Sequence, residues 1–130
     1  MIVEVKQEHI DEGVQGNPCY CAVSLAVRDA LKKGYKFSND SNLDLDVVKE
    51  DIEEGYSWVE TAAQGSGAEI SIYTRLGKEV VEDFIEIEDE FPVNNINKIV
   101  IEDWIENFDL GKEYVKPISF KVEDIHRMNN

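Results

Sequence analysis

Apolar and polar positions alternate with period two over Ile2 to Lys6, which predicts a strand, and Gln7-Glu8-His9 ends the alternation in a turn or helical turn. Gly13, Gly16 and Asn17-Pro18 then mark a loop. Asn17 followed by Pro18 suits a helix start, because an Asn side chain caps orphan amides and Pro tolerates the first helical position. The spacing predicts a helix over 17–33. Ala22, Ala26 and Ala30 recur four apart beside Val23, Leu25, Val27 and Leu31, so this helix is expected to be the central packing element, with a shallow alanine ridge for close approach. Gly34 is the expected stop, with Lys32 and Lys33 at the negative end of the dipole.

The period then returns to two. Tyr35 and Phe37 predict a strand, Ser38 to Asn42 a turn, and Leu43, Leu45 and Val47 a strand with one wet face. Tyr56 to Ala62 and Ala68 to Tyr73 read as two more strands separated by Gln64-Gly65-Ser66-Gly67, and Leu76-Gly77-Lys78 reads as a hairpin turn. Val80 to Ile87 suits either a helix or a strand, and the surrounding strands favour the second. Beyond Pro92, the residues Val100, Ile101, Trp104, Ile105 and Phe108 share one helical face, predicting a second helix over 98–109 capped by Asn97 and ended at Gly111. Tyr114, Ile118, Phe120 and Val122 predict a last strand whose Pro117 suggests a sheet edge, and 125–130 reads as a loose tail. The expected fold class is α+β, an antiparallel sheet of five to seven strands packed against these two helices. The 130 residues suit a single domain.

Charge narrows the partners. A net charge of −15 repels nucleic acid and anionic membrane at long range, which disfavours direct DNA or RNA binding and steers the chain toward a basic partner. The plainer role of such a surface is solubility. No apolar run reaches the roughly 18 residues of a membrane span, and Met1-Ile2-Val3-Glu4 lacks the marks of a signal peptide, so a cytoplasmic protein is expected.

Candidate chemistry is sparse. Cys19 and Cys21 are one residue apart with no second pair, and only His9 and His126 could assist them, so neither a disulfide framework nor a zinc site is expected. Cys19 in the first turn of a helix would have a lowered thiol pKa and, with His9, could serve a hydrolase; the competing reading makes Cys21 a small buried hydrophobe and His9 a tie between loop and helix. Acidic clusters such as Asp44 and Asp46, or Glu86 to Glu90, do not fit calcium-loop spacing and read as solvated faces. Gly65-Ser66-Gly67 lacks the Lys-Ser or Lys-Thr ending of a phosphate loop and reads as a turn. The main basic concentration is Arg28, Lys32, Lys33 and Lys36, and the aromatics Tyr35, Phe37, Tyr56, Trp58 and Tyr73 could stack a base or fill a core.

Glu8-His9-Ile10, Gly13 and Cys21-Ala22-Val23-Ser24-Leu25-Ala26 resemble a pattern in a family of small tailed-phage proteins, which reads His-Ile, a nearby Gly, then Cys-Pro-Val-Ala-Leu-Ala. This chain has Ala22 and Ser24 where that pattern has Pro and Ala. Phe108-Asp109-Leu110-Gly111 and Pro117-Ile118-Ser119-Phe120 look like the end of the same family, and 35–99 has no counterpart. The resemblance transfers no catalytic residue and no cofactor. It implies a small phage protein that counters host defence in the infected cell. The expected function is non-catalytic sequestration of a small nucleotide signal by a homo-oligomer, with Arg28 and Lys32 for phosphate and Tyr35 and Trp58 for the base. Two alternatives stand beside it: an acidic mimic of nucleic acid that blocks a basic host defence nuclease, and a Cys–His hydrolase.

Overall fold

A computed structural model describes residues 2–32, 57–63, 65, 67–76, 78–87 and 96–127. In chain order the elements are β1 (Ile2–Val5), α1 (Gln7–Glu12), α2 (Ala22–Lys32), β2 (Ser57–Ala63), β3 (Ala68–Leu76), β4 (Glu79–Ile87), α3 (Lys98–Leu110), a 3-10 turn at Lys112–Tyr114, and β5 (Ile118–Arg127). The strands form one five-stranded antiparallel sheet in the order β1-β5-β4-β3-β2, so the α+β class is as the periodicity predicts. Strands expected around Tyr35 to Ser38 and Leu43 to Val47 lie outside the described residues.

Alternation decides which face is covered. Val3 and Val5, Val59, Ile70 and Ile72, Ile85 and Ile87, and Phe120 and Val122 are all buried toward the helices. Against them α2 sets Ala22, Val23, Ala26, Val27, Ala30 and Leu31, and α3 sets Ile101, Trp104, Ile105 and Phe108. The alanines at four-residue spacing are buried where α2 packs on β1 and β2. Each fully buried Ile, Val or Phe contributes about 1.5–3 kcal/mol, which is what holds the helices on the sheet.

Three boundaries and one position in the sheet depart from the sequence expectation in ways that matter to the fold. Regular helix begins at Ala22, not at residue 17: the Asn17 side chain accepts the amides of Cys19 and Tyr20 at 3.0 and 3.1 Å, closing a separate turn, and the helix starts where the Leu25 amide reaches the Cys21 carbonyl at 3.0 Å. The reason is the Pro18 carbonyl, which is turned outward to β2. It accepts the Thr61 amide at 2.9 Å and the Ser24 hydroxyl at 2.6 Å, while Ser24 and Thr61 share a further bond of 2.8 Å. Tyr114 lies in the 3-10 turn, since its amide bonds to the Gly111 carbonyl at 3.0 Å, so the last strand starts at Ile118. Pro117 precedes that strand and removes no ladder donor; β5 is interior, pairing with β1 through its first half and β4 through its second. Residues 125–127, expected as tail, continue this pairing opposite Asp83, Phe84 and Ile85.

Other signals are realised as read. Asn97 caps α3 by accepting from Ile99 and Val100, and Gly111 closes it. Among the described residues no helix is long and apolar enough to cross a membrane.

Candidate functional site

The richest polar cluster stands on the sheet face away from the helices, beside the β2 edge. Burial of Val59 and Thr61 turns Trp58 and Glu60 to the opposite face. Register then places Tyr73 opposite Trp58, Ser71 opposite Glu60, and Glu82 opposite Tyr73. The Trp58 and Tyr73 rings stack at 5.5 Å between centroids and 14° between planes, and the Arg75 guanidinium lies 5.9 Å from the indole centre. Ser71 and Tyr73 donate their hydroxyls to Glu82 at 3.0 and 3.2 Å. Partial burial, reinforced by the charges of Glu82 and Glu60, pushes the Tyr73 phenol up to about 12.

The loop before α2 brings a second group to this edge. The Cys19 thiol donates to Glu60 across 3.5 Å. Arg28 of α2 sets its guanidinium 5.0 Å from the Tyr20 ring centre, and its buried Nε has no hydrogen-bond partner among the described residues. The positive charge of Arg28 acts on the Cys19 thiol. Arg28 and Trp58 therefore flank one contact, Cys19 with Glu60. Lys32 follows one turn beyond Arg28 and is half-buried, whereas Tyr35 lies outside the described residues. Sequence reasoning missed Glu60, Arg75 and Tyr20 as neighbours of this site, although the alternation Trp58-Val59-Glu60-Thr61 carried the signal for Glu60; Tyr73 was among the candidate stacking aromatics, and cross-strand register sets it beside Trp58.

Among the described side chains no Cys–His pair is assembled. Burial raises the Cys19 thiol pKa, with the Glu60 bond and charge adding to it, against a lowering by Arg28; the helix-dipole activation expected from sequence is overridden because Cys19 sits in the turn before the helix. Cys21 is buried and bonds to Ser24 Oγ at 3.5 Å. His9 is committed at both nitrogens: Nδ1 accepts the Lys6 amide at 2.9 Å and Nε2 lies 2.6 Å from Asp29. Glu8, His9 and Asp29 bring ligand-type atoms within 4.8 Å of one another. An Nδ1 that accepts an amide leaves the proton on Nε2, so the lone pair a metal would need there is absent. The trio therefore reads as a hydrogen-bonded tie.

The glycine turn is likewise occupied from within. The amides of Gly65 and Gly67 donate to the Glu102 carboxylate at 2.8 and 3.1 Å, so these anion-binding groups hold α3 against the sheet.

His9, Gly13, Ala22, Phe108 and Asp109 meet in one corner of the fold. A Cβ at Gly13 would lie 2.8 Å from both the Ala22 nitrogen and the His9 oxygen and 3.0 Å from Phe108. Gln15 donates to the Phe108 carbonyl at 2.8 Å, and Asp109 accepts the Gly16 amide at 2.8 Å. A cavity of about 170 Å³ opens there, between Asn17, Cys21, Thr61, Ile105 and Asp109. A larger one, about 420 Å³, lies between Glu4, Lys6, Ile96 and Pro117. Among the described residues its lining holds no aromatic side chain and no arginine, so these offer a nucleotide less than the β2 edge does. Comparison of the chain with family models, with curated proteins and with solved structures finds no match.

Proposed function

We propose that this chain is a phage-encoded binding protein without catalysis, acting as an oligomer in the infected cell to sequester a small nucleotide signal of host defence. The observation that carries the reading is the partly exposed Trp58, stacked on Tyr73 at the same strand edge where Arg28 has a buried Nε with no bonded partner among the described residues. An indole supplies a base-stacking surface, and a guanidinium supplies paired donors for phosphate. Lys32 extends the positive side by one helical turn, and Tyr35 belongs to the same proposal. The phage resemblance supplies the biological setting. The test is to incubate the purified protein with a panel of nucleotide signals, denature it by heat and identify what is released by mass spectrometry. Intact ligand is the expected result; a chemically altered ligand would make the protein an enzyme, and a panel neither retained nor changed would remove the reading.

A second reading, an acidic inhibitor of a basic defence nuclease, is favoured by the outer stripe of α3. There the exposed Asp103 and Glu106 stand between Ile99 and Leu110, which are 55% and 77% exposed. Binding through that stripe would weaken steeply with ionic strength, whereas capture at the β2 edge would be less sensitive.

A further inference from the structure

The β2 edge presents an apparent contradiction for an anionic ligand: its stacking residues are bracketed by the carboxylates of Glu60 and Glu82. Glu82 is satisfied by two hydroxyls of its own sheet. Glu60 accepts a thiol across 3.5 Å, a weak donor, and shares the Tyr73 hydroxyl with Glu82, so a carboxylate with about four acceptor positions keeps capacity open. Trp58 and Glu60 are two residues apart on one strand face, which separates them by about 7 Å. A base stacked along the indole would turn one edge toward that carboxylate.

Resting on the nucleotide reading, we infer that the site selects guanine. A carboxylate accepts and cannot donate, so it attracts a base edge made of adjacent donors and repels one that carries ring acceptors. Guanine offers N1–H and the N2 amino group side by side and can engage both carboxylate oxygens. Adenine and cytosine set an amino group beside an unprotonated ring nitrogen, and hypoxanthine keeps N1–H but lacks the amino group. The edge that carries the ribose and phosphate then points away from Glu60, and Glu60 becomes the source of base choice.

The test is calorimetric titration of the full chain with 5′-GMP, 5′-IMP and 5′-AMP at one salt concentration, repeated on Glu60→Gln. Expected are GMP at least tenfold tighter than IMP and AMP, and loss of that advantage in the variant. Equal affinity for the three on the unmodified protein would overturn guanine selection while leaving nucleotide capture standing. Absence of binding by all three at millimolar concentration would overturn both. The GMP-to-IMP comparison needs no variant, so it decides the matter even where Glu60→Gln fails to fold.

Discussion

His9 and Asp29, twenty residues apart, are joined across 2.6 Å, and the imidazole that makes this bond also accepts the Lys6 amide through its other nitrogen. A histidine here does what Glu or Gln does at the third position of a capping box, and it additionally ties α1 to α2. Replacing His9 by Ala strands a backbone donor, breaks the tie and empties a site that is 4% exposed. The expected cost is about 2–4 kcal/mol in urea denaturation. His9→Gln retains an acceptor for Lys6 and should lose roughly half as much. Zinc should leave the melting temperature of the unmodified protein unchanged; a zinc-dependent rise would show that the Nε2 lone pair is available after all.

Gly13 and Gly16 should respond oppositely to the same substitution. An added Cβ at Gly13 meets backbone atoms at 2.8 Å, which cannot swing aside, so Gly13→Ala is expected to cost about 3 kcal/mol or more and to loosen the α1–α2–α3 corner. Gly16 has φ 71° and nothing within 4 Å of the added atom, so Gly16→Ala should cost only the left-handed backbone penalty, about 1 kcal/mol. Equal losses at the two positions, measured by thermal denaturation, would mean that the close approach at Gly13 is relieved by backbone movement.

These cases show which parts of the molecule were legible in the sequence. Period-two alternation in Ala68 to Ile72 and the helical face of Ile101, Trp104, Ile105 and Phe108 follow from local side-chain direction, so the strands and α3 could be read directly. The start of α2 could not, because it depends on the Pro18 carbonyl bonding Thr61, a contact across 43 residues. Pro117 misled for a related reason: it stands one residue before β5, and pairing on both sides of that strand is set by chain topology. At the candidate site, residue type pointed to Arg28 and Trp58. Their neighbours Glu60 and Tyr73 depend on strand register, which no single segment encodes.

Tyr73 should titrate well above the ordinary tyrosine range. Its folded pKa is raised from an ordinary value near 10 to about 12, by burial and then by the carboxylates of Glu82 and Glu60. A raised pKa means that the folded state holds the proton more tightly. Its contribution to stability is therefore complete below about pH 10 and is lost as pH climbs toward 12. Absorbance at the phenolate band should show a phenol ionising near pH 12, and Glu82→Gln should bring it earlier. If Glu82→Gln leaves the titration unchanged, the bond between Tyr73 and Glu82 is not made in solution.

Cys19 offers the most direct probe of the β2 edge. Its thiol pKa is raised by burial and by the Glu60 bond and charge, while Arg28 works the other way. Because the thiolate is the reacting species, alkylation near pH 8 should be slower than for an unperturbed cysteine. Glu60→Gln removes a negative neighbour and should speed labelling several-fold. Arg28→Gln removes the opposing positive charge and should slow it. Cys21, 3% exposed, should remain unlabelled until the protein unfolds, so intact-mass measurement reports Cys19 alone under native conditions. The two substitutions must move the rate in opposite directions for Arg28, Cys19 and Glu60 to share one electrostatic neighbourhood. A common direction would separate Arg28 from the edge and, with it, the phosphate side of the nucleotide site.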